Sequence, residues 1–197
     1  PDETLVVRVA GCDVDVVPAA SPTVRLERYL SGGSSHSISY AASGDAVWRV
    51  DVVNTGCDRL PRLECRRLCL VTIGVPSSGT APSLLIQQRA DDESDHVRLH
   101  VFPNVHLASL EAKQGFSPAG PSMEMHLEDC QVDSMDLRAE GGSVILRNVV
   151  ASSGFLRSTR ASVYVLDTAH PGRSVTVSFR QVSNAVCLRG GAVSDLS

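Results

Sequence analysis

Lysine is nearly missing from this chain: Lys113 stands alone against 17 arginines in 197 residues. So one-sided a usage is read as compositional bias, and no function is hung on it. Aromatic residues are scarce as well, at 4% with a single Trp48, which leaves few rings to stack against sugars. No apolar run approaches the roughly 18 residues that a membrane span requires. The opening PDETLVVRVAG also lacks both a basic n-region and an apolar h-region, so no membrane insertion by this segment is expected. The start on Pro1 without Met points to a processed product or a domain excised from a longer chain. A net charge of −4 and a pI near 5.8 give no electrostatic reason to attract nucleic acid, and no such partner is expected.

Catalytic and metal signatures are missing too. There is no G-x-S-x-G elbow and no S-x-x-K, and the serines gather in turns, where they cap bends. Cys65 and Cys69 are four apart, outside the C-x-x-C spacing of a zinc knuckle or redox pair. His96, His100 and His106 fall in an alternating stretch, where the step from His96 to His100 covers about 13 Å of strand, too far for two ligands of one ion. The acidic run of Asp91, Asp92, Glu93 and Asp95, next to His96, offers oxygen ligands for calcium. It has no Gly at the sixth place and Phe102 where a bidentate Glu is needed, so it reads as a solvated hairpin tip. No cofactor or metal is expected.

What the chain does have is period-two alternation from end to end. TLVVRV, CDVDVV, VWRVDVV, HVRLHVF, MEMHL and SVTVSF read as short strands, separated by turn clusters such as SGGSS, PSSGTAP, SPAGPS and AEGG. Nothing reads as a long helix. An all-β domain over 1–197 is expected, in which a hairpin-rich segment, 1–102, leads without a linker into stacked units over 103–190.

The stacking expectation comes from an offset of 19. It aligns Leu127 with Leu146, Ser134 with Ser153, Leu137-Arg138 with Leu156-Arg157, and Ser143-Val144 with Ser162-Val163. Carried further, it sets Asp167 under Asn148 and Asp129, Gly172 under Ser153, Val175 under Leu156 and Val182 under Val163. A repeat of this length is the mark of supersecondary units that bury their apolar faces only by stacking. Leu127, Leu146 and Val165, and separately Leu137, Leu156 and Val175, are then expected as buried columns. Arg138 and Arg157 are placed outward on a common face, solvated by default, and are the candidate interaction face.

Six cysteines permit a disulfide framework in an oxidising compartment, although no N-x-Ser/Thr sequon adds support for one. Cys130 and Cys187 are three offsets apart, about 14 Å in a stack, which is beyond the Cα limit near 7 Å, so they are not expected to bond. Bridges are expected within Cys12, Cys57, Cys65 and Cys69, with Cys57 to Cys65 or Cys69 preferred across the turn at Pro61.

The order LVVRVAGCDVDVVPA, AVWRVDVV, LVTIGVPSSGTAPSLLIQ, DLRAEGGSVILRN resembles the adhesin-like β-solenoid domains of bacterial and some eukaryotic proteins. In that family a β-rich start leads to an I-x-V-P strand, here Ile73-Gly74-Val75-Pro76, and then to units ending in S-G-x-V turns. Gly142-Ser143-Val144 resembles such a turn with Gly and Ser exchanged. The resemblance implies a solenoid and suggests surface attachment. The resulting reading is a non-catalytic extracellular, surface or luminal adhesion or scaffold module that binds a protein partner, a second copy or a neighbouring domain. The alternatives are an intracellular or organellar solenoid scaffold with free thiols, and a carbohydrate-active β-helix enzyme using Asp129 and Asp167, two units or roughly 9.6 Å apart.

Overall fold

The computed structural model describes residues 4–27, 34–43, 45–54, 69–88, 97–114, 123–158, 162–166, 175–179, 186–189 and 193–196. Among them every regular element is a strand. The first eight are β1 (Thr4–Ala10), β2 (Asp13–Ala19), β3 (Thr23–Glu27), β4 (Ser34–Ser43), β5 (Asp45–Asn54), β6 (Leu70–Pro76), β7 (Ser83–Gln88) and β8 (Val97–Val101). Then follow β9 (His106–Lys113), β10 (Met123–Glu128), β11 (Gln131–Ala139), β12 (Gly142–Arg147), β13 (Val150–Ser158), β14 (Ser162–Leu166), β15 (Val175–Phe179), β16 (Val186–Arg189) and β17 (Val193–Leu196).

The alternation that makes these strands also decides which face is buried. In β10 every second residue, Met123, Met125 and Leu127, is buried, while Glu124, His126 and Glu128 remain partly accessible. Such a strand hides one face and needs another layer against it. Two sheets provide this. Sheet A has the order β17-β15-β13-β11-β9-β7-β1-β5-β4, and sheet B the order β16-β14-β12-β10-β8-β2-β6-β3. Neighbours are parallel throughout except for β3 against β6 and β4 against β5. From β7 onward the chain alternates between the sheets, so each strand of A is followed by one of B. We call each such pair a tier.

The buried faces of both sheets meet in one apolar cluster. Leu127, Leu146 and Val165 stand in register and fully buried, as do Leu137 and Leu156. The offset of 19 is therefore real from β10 to β14 and from β11 to β13. It fails beyond. Leu156 pairs with Val177, 21 residues on, so Val175 is not in its column; Val163 pairs with Val186, 23 residues on, where Val182 was expected. Longer connections between later tiers shift the numbering without disturbing the stack. Asp167, Gly172 and Val182 lie outside the described residues.

Hairpin pairing in the first hundred residues is likewise narrower than alternation suggested. β4 and β5 form a hairpin, but β1, β2, β5, β6, β7 and β8 join the parallel tiers. Their order in space also departs from the chain: β1 lies between β5 and β7, and β2 between β6 and β8. The first tier made in sequence is thus inserted between two later ones, and the connection over 77–82 steps across it. The antiparallel β3 closes sheet B so tightly that a Cβ on Gly74 would overlap the Thr23 hydroxyl, which explains the small residue inside Ile73-Gly74-Val75-Pro76.

Corners between tiers recur on one residue type. Asn104, Asp129 and Asn148 all have positive φ, a conformation that Asn and Asp tolerate better than other side chains. They form a column: Asn104 N donates to Asp129 O at 2.9 Å, and Asn148 Nδ2 to Asp129 Oδ1 at 2.7 Å.

Candidate interaction face

Three outward columns run across sheet A. Ser83, Ser109, Ser134 and Ser153 stand in register, giving a line of hydroxyls. Beside them run Leu85, Glu111, Asp136 and Phe155, and beyond those Gln87, Lys113, Arg138 and Arg157. Successive members are one strand spacing apart, about 4.8 Å. The two arginines singled out in the sequence are direct neighbours, and both are exposed. At Asp133-Ser134 and Ser152-Ser153 two consecutive residues face outward, so sheet A bends there between two inward positions, Val132 and Met135 in β11.

On β9 and β11 the charges of this face are paired along the strand, because residues i and i+2 share a side of the sheet. Lys113 is bound to Glu111, and Arg138 grips Asp136 with Nη2 to Oδ2 at 2.7 Å and Nε to Oδ1 at 3.1 Å. On β13 the same two places hold Phe155 and Arg157. Arg157 has no ion pair among the described residues, and Phe155, at 37% exposure, is the large apolar side chain left open to solvent there.

The outer face of sheet B carries a different cluster. His100 and His126 pair in register and stack with ring centroids 4.9 Å apart, with Phe102 packed on His100 at 4.0 Å. Asp15 is the register neighbour of His100 on β2, and Arg98 binds Asp13 at 2.8 Å. Burial holds the His100 pKa below its ordinary value; His126 and Arg98 push the same way, and Asp15 and Glu128 oppose them. Arg147 reaches Glu128 at 3.0 Å. Spacing along one strand, the test applied to the histidines in the sequence, could not reveal this stack. Its members lie on different strands, each at the outward fourth place of VRLHV and MEMHLE.

His106 lies on sheet A, apart from His100, and contacts Asp133 at 3.3 Å. His96, the acidic run over 91–95 and Asp167 fall outside the described residues. Among the described residues no three His, Cys, Asp or Glu side chains are arranged to hold a metal ion. No helix there is long and apolar enough to cross a membrane.

Cys12 and Cys69 are joined in a disulfide, with Cα atoms 4.7 Å apart. This corrects the preferred pairing of Cys57 with Cys69: parallel pairing of β2 with β6 puts Asp13 beside Leu70, hence Cys12 beside Cys69. Cys57 and Cys65 lie outside the described residues. Cys130 is a free, buried thiol whose pKa is pushed up to about 12 by burial and by the nearby Asp129. Cys187 pairs in register with Tyr164, in the column of His126 and Ile145, and not in the column of Cys130 as the offset of 19 implied.

Neither a family nor a curated protein matches the chain. Among solved structures, a candidate cell adhesion protein of Clostridium sporogenes aligns over 99% of this chain and 90% of that one, at 9% identity and a TM-score of 0.35. A likeness of that size carries no argument about this chain.

Proposed function

We propose that the chain is a β-solenoid that works by presenting its outer faces, as a non-catalytic adhesion or scaffold module docking a protein partner, a second copy or a neighbouring domain. The observation that carries this reading is the outer face of sheet A, where serines repeat in one column over four strands and cations in another over three. Regular parallel tiers around one apolar core support the solenoid. The backbone of that face is already fixed in paired strands, so docking on it costs little backbone ordering. The Cys12–Cys69 disulfide fits an oxidising compartment, outside the cell, on its surface or in a secretory lumen.

The test is a comparison of surface capture with turnover. Purified protein coated on beads is assayed for adhesion to cells and matrix proteins and for self-association by sedimentation, with Arg138→Glu/Arg157→Glu as the face variant. The expected result is measurable association weakened by that variant, and single changes at Asp129 or Asp167 that leave it intact. Polysaccharide turnover abolished by one of those Asp changes would overturn the reading in favour of a carbohydrate-active enzyme.

A further inference from the structure

Resting on that docking reading, we infer that Phe155 and Arg157 form the anchor point of the sheet A face, and that the partner brings a carboxylate set beside an aromatic or large apolar side chain. The argument is a break in a pattern. Three successive strands, β9, β11 and β13, place a cation at one position: Lys113, Arg138 and Arg157. In the first two, the residue two places earlier is an acid that neutralises it, Glu111 or Asp136. In the third that residue is Phe155, which leaves a guanidinium without an ion pair among the described residues and an aromatic ring open to water.

Among the described residues, the two strands that adjoin β13 supply no acid to Arg157. On the β15 side the register partners of Phe155 and Arg157 are Thr176 and Ser178, both uncharged. On the β11 side both carboxylate oxygens of Asp136 accept from the Arg138 guanidinium. Folding alone gains nothing from this arrangement, since an acid at 155 would pair Arg157 as its neighbours are paired. A docking site does gain. Arg and aromatic residues are the side chains that dominate binding energy, and a guanidinium keeps its charge at every physiological pH and accepts a carboxylate in a two-pronged grip. The flanking Ser153 adds a hydroxyl on the same face. The two neutralised strands alongside deny an acidic partner a second strong foothold, so the register of docking is set by one place.

The experiment is an amide-resolved NMR titration of the whole chain with 3-phenylpropionate, which joins one ring to one carboxylate. Propionate and benzyl alcohol serve as the single-feature controls. The expected result is saturable shifts centred on Phe155 and Arg157, with binding weakened about tenfold in Arg157→Ser and in Phe155→Ser, as for an anchor residue. Phe155→Asp, which rebuilds the acid–cation pair of the two preceding strands, should lose the probe while keeping the wild-type thermal midpoint. Arg147→Ser, on sheet B, should bind as wild type. Shifts that do not saturate, that centre elsewhere, or that are equal in wild type and Phe155→Asp overturn the inference. Because bead adhesion is read separately, adhesion that survives Phe155→Asp but falls in Arg138→Glu/Arg157→Glu would sink this anchor and leave face docking standing.

Discussion

Cys12 and Cys69, 57 positions apart in the chain, sit side by side because one immediately precedes β2 and the other β6, parallel neighbours in sheet B. The bond therefore ties the inserted first tier to the tier built by β5 and β6. Closing a loop of that length is expected to stabilise the fold by about 4 kcal/mol through the unfolded chain. Urea denaturation of Cys12→Ser/Cys69→Ser against wild type should show a loss of unfolding free energy of that order, with the earliest loss of hydrogen-exchange protection in β1 and β2. Unchanged stability would mean that the inserted tier is held by pairing and packing alone.

Leu146 lies at the middle of a fully buried column, between Leu127 and Val165. Leu146→Ala should cost roughly 2–5 kcal/mol, since stacked tiers above and below cannot collapse into the space. Ile145→Ala, whose side chain is on the outer face of the same strand, should cost clearly less. The ratio of the two, read from denaturant midpoints, checks which face is inside.

Asn148 holds positive φ at a corner and donates to Asp129. Asn148→Gly keeps the backbone and loses only the exposed hydrogen bond, so a change within about 1 kcal/mol is expected. Asn148→Val forces a β-branched residue into the left-handed region and should cost about 1–2 kcal/mol or more. Equal losses in both variants would show that the hydrogen bond matters and the backbone conformation does not.

Acid should loosen the outer face of sheet B. His100 has a folded pKa below the 6.5 of a free imidazole, mainly through burial. Between the two values the unfolded chain binds the proton more readily. The stability that neutral His100 contributes is therefore complete above about pH 6.5 and is lost as the pH falls through the folded value. Denaturation curves at about pH 7.5 and about pH 5 should differ more in wild type than in His100→Asn, which cannot charge. Parallel pH dependence in both proteins would assign the effect to other groups.

Alternation in MEMHLE and SVILR was enough to place Met123, Met125, Leu127, Val144 and Leu146 inside, because side-chain direction along a strand follows from local backbone geometry. The repeated Leu-Arg and Ser-Val pairs likewise gave the true register of three strands in sheet B and two in sheet A, and set Arg138 beside Arg157. Which strand lies beside which is a different kind of information. It depends on connection lengths and on burial between distant segments, and local sequence records neither. So the insertion of β1 and β2, the Cys12–Cys69 bond, the stack of His100 on His126 and the column holding Cys187 came only with the folded chain. The same holds for the open pair Phe155 and Arg157. Each residue is ordinary in the sequence, and the pair stands out only when Glu111–Lys113 and Asp136–Arg138 are laid beside it, since a missing charge is visible only against the neighbours that have it.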